Sequence, residues 1–231
     1  MLTYRAMLAD ARSFLETMLL AVATLLPIVN PMAGASVFLA KTADLTEDDR
    51  QRTAFRVARY GFALLLASAL IGAYVLDFFG LSIPIVQVAG GLVVSVLGWT
   101  LLSQDERVMD RAAREAAATP TPDTIEARAF YPLTMPVTVG PGSISVAITL
   151  GANPPTGARA LAITLLAHAV GLAIVALAIW VVYSKADAVL RKLGRTGTAI
   201  VTRLSAFILL CVGVQIVWNG VRSLLLSLAA T

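Results

Sequence analysis

The chain has 231 residues, of which 58% are hydrophobic before glycine is counted and 14% are charged. Soluble domains carry about 45–50% apolar residues with glycine included and about 25% charged, so an ordinary soluble globule is excluded and an integral membrane protein is predicted. The net charge of +4 does not indicate nucleic acid, because basic residues in a membrane chain set its orientation.

Six apolar segments are predicted in chain order, at approximately 14–40, 57–76, 82–103, 129–151, 160–184 and 199–221. The first follows Arg5 and Arg12 as a signal peptide would, but it is too long and more segments follow, so it reads as an uncleaved span. No charged side chain occurs from Thr17 to Ala40, yet LLPIVNPMAGASVF, residues 25–38, interrupts that run with prolines, asparagine and glycine. Asn30 followed by Pro31 is a helix start: asparagine caps free amides, and proline at the first helical position lacks only a hydrogen that would be unpaired anyway. The amides of Met32, Ala33 and Gly34 are therefore expected to be unpaired.

In the second and third segments, Ser68 with Gly72 and Gly91 with Ser95 stand four residues apart, the spacing of close helix packing. The stretch QDERVMDRAAREAAATPTPDTIEAR, residues 104–128, predicts a short exposed helix and then a flexible linker. In the fourth segment, MPVTVGPGSISVAI repeats the earlier interruption, with Gly140 in the capping place, then Pro141 and Gly142. There the amides of Gly142, Ser143 and Ile144 are expected to be unpaired. The fifth holds His168, the only histidine, on one face with Thr164 and Gly171. A neutral packing histidine is the default and a proton relay the alternative; Ala167 with Gly171 is another packing pair. In the sixth, Arg203 lies about one turn inside the span, where snorkelling is favoured over a ligand contact. The lone cysteine, Cys211, supplies neither a disulfide framework nor a metal cluster and reads as a packing residue.

The pattern divides the chain into a first three-helix repeat at 1–103, a cytoplasmic linker at 104–128 and a second repeat at 129–231. An odd number of spans inverts the second copy. The predicted fold is an all-α membrane protein, six transmembrane helices in two inverted repeats, each with a broken first helix. Fourteen of the 18 Lys and Arg residues lie beside the first, third and fifth loops, which places those loops in the cytoplasm and both termini outside it. Helix starts inside a membrane are tolerated only where they are buried in protein or face a cavity, and their partial positive charge suits a carboxylate. The expected substrate-binding residues are Asn30, Met32, Ala33, Gly34, Gly140, Gly142 and Ser143. The small ones leave room for only a small side chain. Thr134, Thr138, His168 and Arg203 are the expected polar lining or coupling groups. The span interiors hold no Asp or Glu, unlike drug or ion antiporters that depend on buried carboxylates. No nucleophile with a base and no metal-ligand set is found, so neither an enzyme nor a cofactor is expected.

Four stretches carry a family resemblance: LLPIVNPMAGASVFLA, GLSIPIVQVAGGLVVSVLG, YPLTMPVTVGPGSISVAI and IVTRLSAFILLCVGVQIVWNG. Spread from about residue 14 to 222, they resemble the MarC family of bacterial inner-membrane proteins, which includes SnatA-type transporters of small neutral amino acids. The resemblance implies six spans, a transport-like fold and, for some members, transport of glycine or alanine. Two departures stand out. Gln87 precedes VAGG where many members have arginine, and Ala206 follows TRLS where glycine is usual. The expected function is secondary transport of glycine, alanine or serine across the bacterial inner membrane. The alternative is a nontransporting membrane scaffold or regulatory protein. Expected partners are a small amino acid and the lipid bilayer, with homo-oligomers left open and nucleic acid excluded.

Overall fold

The computed structural model describes residues 2–103, 124–152 and 154–229. All regular elements among them are helical: α1 (Leu2–Val29), α2 (Pro31–Lys41), α3 (Glu47–Phe78), α4 (Ile83–Ser103), α5 (Ile125–Arg128), α6 (Ala129–Thr138), α7 (Pro141–Gly151), α8 (Ala158–Ser184) and α9 (Ala186–Ala229). Residues 104–123, most of the expected linker and its short helix, lie outside the described residues.

Local chemistry explains the boundaries. Thr46 caps α3 by accepting a hydrogen bond from the Asp49 amide, and Glu47, Asp48 and Asp49 place negative charge at the positive end of the helix. Gly157, at φ 103°, turns the chain into α8 where a side chain would be strained. Gly194, at φ 63°, kinks α9 before its apolar part.

Among the described residues, five helices are long and apolar enough to cross a membrane: Met7–Val29, Glu47–Phe78, Ile83–Ser103, Ala158–Ser184 and Thr196–Leu228. Ile125–Thr138 and Pro141–Gly151, bent by 75°, make a sixth if the pair is one span. Their outward faces are apolar, with Phe78 85% and Tyr74 76% exposed, as a lipid solvent permits.

The two breaks differ in what precedes them. The first apolar segment was expected to be one broken span at 14–40, but α1 runs unbroken to Val29 and is long enough to cross by itself. The second break follows α6, a π-helical stretch in which Tyr131 and Met135 are extended. Each of these precedes a proline, whose ring clashes with a helical conformation in the residue before it.

Glycines set the packing. α4 and α9 lie against each other with their backbones close: a Cβ on Gly91 would stand 2.7 Å from Val217 N, and one on Gly98 2.6 Å from Leu210 N. From the other side, Gly213 faces Ser95 and Gly220 faces Pro84. Without a hydrophobic force between helices in lipid, such close approach is a main source of association. Gly72 against Ile148 and Gly171 against Met18 and Ala21 agree with the packing pairs read from the sequence. α3 packs on α6, α7 and α8, and α8 packs on α1 and α2. At one end of the molecule Arg128 pairs with Asp44, and Arg56 with Glu126; elsewhere Arg159 pairs with Asp10.

Candidate functional site

Asn30 is the single residue between α1 and α2, at φ 42° and ψ 66°. This left-handed conformation is one that asparagine adopts more readily than most residues. Its Oδ1 accepts from the Ala33 N–H at 3.4 Å, and its backbone carbonyl accepts from the Gly34 N–H at 3.2 Å. The Ala33 bond identifies which side-chain atom is oxygen. Of the three amides expected to be unpaired, only that of Met32 lacks a protein partner among the described residues. The cap and the returning turn have satisfied the other two. Asn30 is 8% exposed, and its Nδ2 is buried with no hydrogen-bond partner among the described residues.

The second break is built differently. Gly140 is extended, at φ −95° and ψ 179°, and it has no side chain with which to cap α7. Its carbonyl accepts instead, from Ser143 Oγ at 2.9 Å and from the Ile144 N–H at 3.1 Å. Ile144 was expected to be unpaired and is not. The first-turn amides of Gly142 and Ser143 remain without a protein partner among the described residues.

The elements flanking the breaks meet in a crossed manner, α1 against α7 and α2 against α6. Tyr183 of α8, fully buried, joins them. Its hydroxyl lies 2.9 Å from Thr138 Oγ1, which itself donates to the Leu133 carbonyl at 2.6 Å, so Tyr183 is the donor between the two hydroxyls. Its ring stacks on Phe38 of α2 with centroids 4.8 Å apart. Tyr183 does not stand out in the sequence. In IWVVYSK, near the end of a span, a tyrosine reads as an interfacial anchor.

Several expected site residues have other tasks. A side chain on Gly34 would meet Tyr183, and one on Gly142 would meet Val94 Cγ2 at 2.3 Å, so both glycines make room for helix packing. Thr134 Oγ1 donates to the Ala129 carbonyl at 2.7 Å, so the hydroxyl protons of Thr134 and Thr138 are both held by backbone. His168 is buried and makes no hydrogen bond among the described residues. Arg203 is exposed on α9 and forms no ion pair among them. Each break presents donors of its own: Asn30 Nδ2 and the Met32 amide at the first, the amides of Gly142 and Ser143 at the second. Donors at helix N-termini suit an anion.

The family profile described as MarC family integral membrane protein matches residues 15–225. The chain belongs to the MarC family. Two similar relatives, from Escherichia coli O1:K1 / APEC and from Escherichia coli strain K12, are both named UPF0056 inner membrane protein MarC. Each is 30% identical over 208 residues, covering 89% of this chain and 94% of the relative. No solved structure matches the chain. The MarC match takes in both helix breaks, Tyr183 and the α4–α9 glycines, so the whole candidate site lies within the family region.

Proposed function

We propose that this MarC-family protein is an inner-membrane secondary transporter of small neutral amino acids, glycine, alanine or serine, whose carboxylate binds at the starts of α2 and α7. The buried Nδ2 of Asn30, together with a Met32 amide that has no protein partner among the described residues, carries this reading. A buried donor left without a partner costs about 1–3 kcal/mol, and a substrate carboxylate would satisfy it. Positively polarised helix ends from both halves add to the attraction.

The same reading takes the two halves as inverted repeats with an in-plane pseudo-twofold axis. Its support is the pattern of helix partners: exchanging the halves turns the packing of α3 on α6 and α7 into that of α8 on α1 and α2. The α4–α9 and α3–α8 pairs map onto themselves. The basic loops would be cytoplasmic and both termini extracytoplasmic, from the placement of 14 of the 18 Lys and Arg residues. A reporter fused after Thr231 should then be active only outside the cytoplasm.

The nontransporting scaffold has one observation in its favour: the space beside Gly34 and Gly142 is filled by Tyr183 and Val94. Uptake of labelled glycine, alanine and serine into proteoliposomes, with calorimetry on the purified protein, separates the two readings. Uptake of at least one supports transport. Neither uptake nor binding heat for any of the three would leave the scaffold.

A further inference from the structure

Between α3 and α8 lies a cavity of about 300 Å³. Phe55 and Phe62 of α3 and Trp180 of α8 wall it, while Ala58, Ala173 and Ala176 leave the space between them. Phe55 stands edge-on to Trp180, with ring centroids 6.4 Å apart. From Phe55 to Phe62 the slot follows α3 for about 10 Å, at 1.5 Å per residue. Its lining is almost wholly apolar; Arg59 is the charged member.

The arginines of α3 divide into two kinds. Arg50 pairs with Glu47 and Arg56 with Glu126. Arg52 and Arg59 are exposed and have no carboxylate partner among the described residues. These two share a helix face with Phe55 and Phe62, at i, i+3, i+7 and i+10. Among the described residues, the charges without a carboxylate partner therefore stand where the apolar slot begins. Arg59 also rests over the Tyr60 ring, 5.4 Å from its centroid, and Trp180 is an aromatic of the type that anchors spans at headgroup level.

We propose that this groove binds one anionic phospholipid, with its phosphate on Arg59 and Arg52 and an acyl chain lying between Phe62 and Ala173. Charge and polarity select that occupant. A soluble anion would leave the slot empty, and a zwitterionic lipid brings an ammonium toward two arginines. A second copy of this chain brings the same arginines, at a net charge of +4. Basic pockets between transmembrane helices recognise anionic headgroups in the same way.

Trp180 reports on the site. With Trp99→Phe and Trp218→Phe it becomes the sole tryptophan, and both replaced residues are more than half exposed. This protein, in phosphatidylcholine nanodiscs, is titrated with chain-brominated phosphatidylglycerol or chain-brominated phosphatidylcholine. The anionic lipid should quench Trp180 at a mole fraction about fivefold lower or better, since each basic residue near a membrane surface contributes about that factor. Raising the salt should erode the preference without any further substitution. Arg52→Gln with Arg59→Gln should bring the two lipids to parity, and Ala176→Leu, which fills the slot, should weaken quenching by both. Equal quenching before any arginine is changed overturns the proposal. So does a preference that survives in the folded double variant. Quenching by neither lipid, as a second copy covering the face would give, overturns it as well.

Discussion

The hydroxyl of Tyr183 occupies the space that a side chain on Gly34 would need: a Cβ there would lie 2.1 Å from the tyrosine oxygen. Because Tyr183 is fully buried, stacked on Phe38 and bonded to Thr138, it has little freedom to withdraw. Gly34→Ala should therefore destabilise the protein by about 1–3 kcal/mol, as overpacking does. Tyr183→Phe removes the clashing oxygen, so the double variant should be more stable than the sum of the single effects predicts. Thermal unfolding of the four proteins in detergent measures this. Full additivity would separate Gly34 from Tyr183.

Asn30 offers a test of the proposed substrate site that keeps the helix cap. Asp at this position keeps an oxygen for the Ala33 amide and tolerates the left-handed backbone, but it replaces Nδ2 with negative charge. Asn30→Asp should lose glycine or alanine affinity by at least about tenfold, and its melting transition should stay cooperative but fall, because a carboxylate buried away from water is destabilising. Calorimetry beside a melting curve checks both. Unchanged affinity would remove Nδ2 from the site.

The glycines should respond unequally. At Gly98 an added Cβ meets Leu210 N, a backbone atom that cannot swing away, so Gly98→Val should lower stability by about 1–3 kcal/mol. Gly140 is extended, and its nearest neighbour, Pro136 O, is 3.4 Å from a built Cβ. Gly140→Ala should thus stay within about 0.5 kcal/mol of the parent, although it sits in the more conspicuous motif. The order of the two melting temperatures decides.

Acid should weaken the contact between the first loop and α5. Arg128 donates to both carboxylate oxygens of Asp44, at 2.7 and 2.9 Å, and so holds that carboxyl below its ordinary value of 3.8. A group with a depressed folded value adds stability that is fully present above its unfolded value. That stability is lost as pH falls through the folded one. The gap in melting temperature between the parent and Asp44→Asn should therefore be constant from neutral pH down to about 5 and shrink below about 4. A gap that widens on acidification would contradict the pairing.

What the sequence made legible was local. Proline acts on the residue before it and asparagine on the amides after it, so both helix breaks could be read from a few letters. The apolar segments were legible for the same reason, except that α1 reaches further toward the N-terminus than its charge-free run suggested. Gly34 and Gly142 were harder, because a missing side chain serves a ligand or a neighbouring helix equally well. Only the positions of Tyr183, about 150 residues from Gly34 in the chain, and of Val94 beside Gly142 show which neighbours fill those spaces. The spacing of Gly91 and Ser95 announced a close contact but could not name α9 as its partner.

A single residue separates two stiff helices at Asn30, and the next, Pro31, has its φ fixed by its ring. α2 can therefore reorient only through a few torsions, as a lever about 15 Å long at 1.5 Å per residue. At its far end the Lys41 carbonyl accepts from Arg128, the same guanidinium that grips Asp44. A rotation of about 10° at Asn30 would carry that end by about 2.5 Å, enough to break a hydrogen bond. The turn at Asn30 and the Arg128 contact at the far end of α2 are thus linked through one angle.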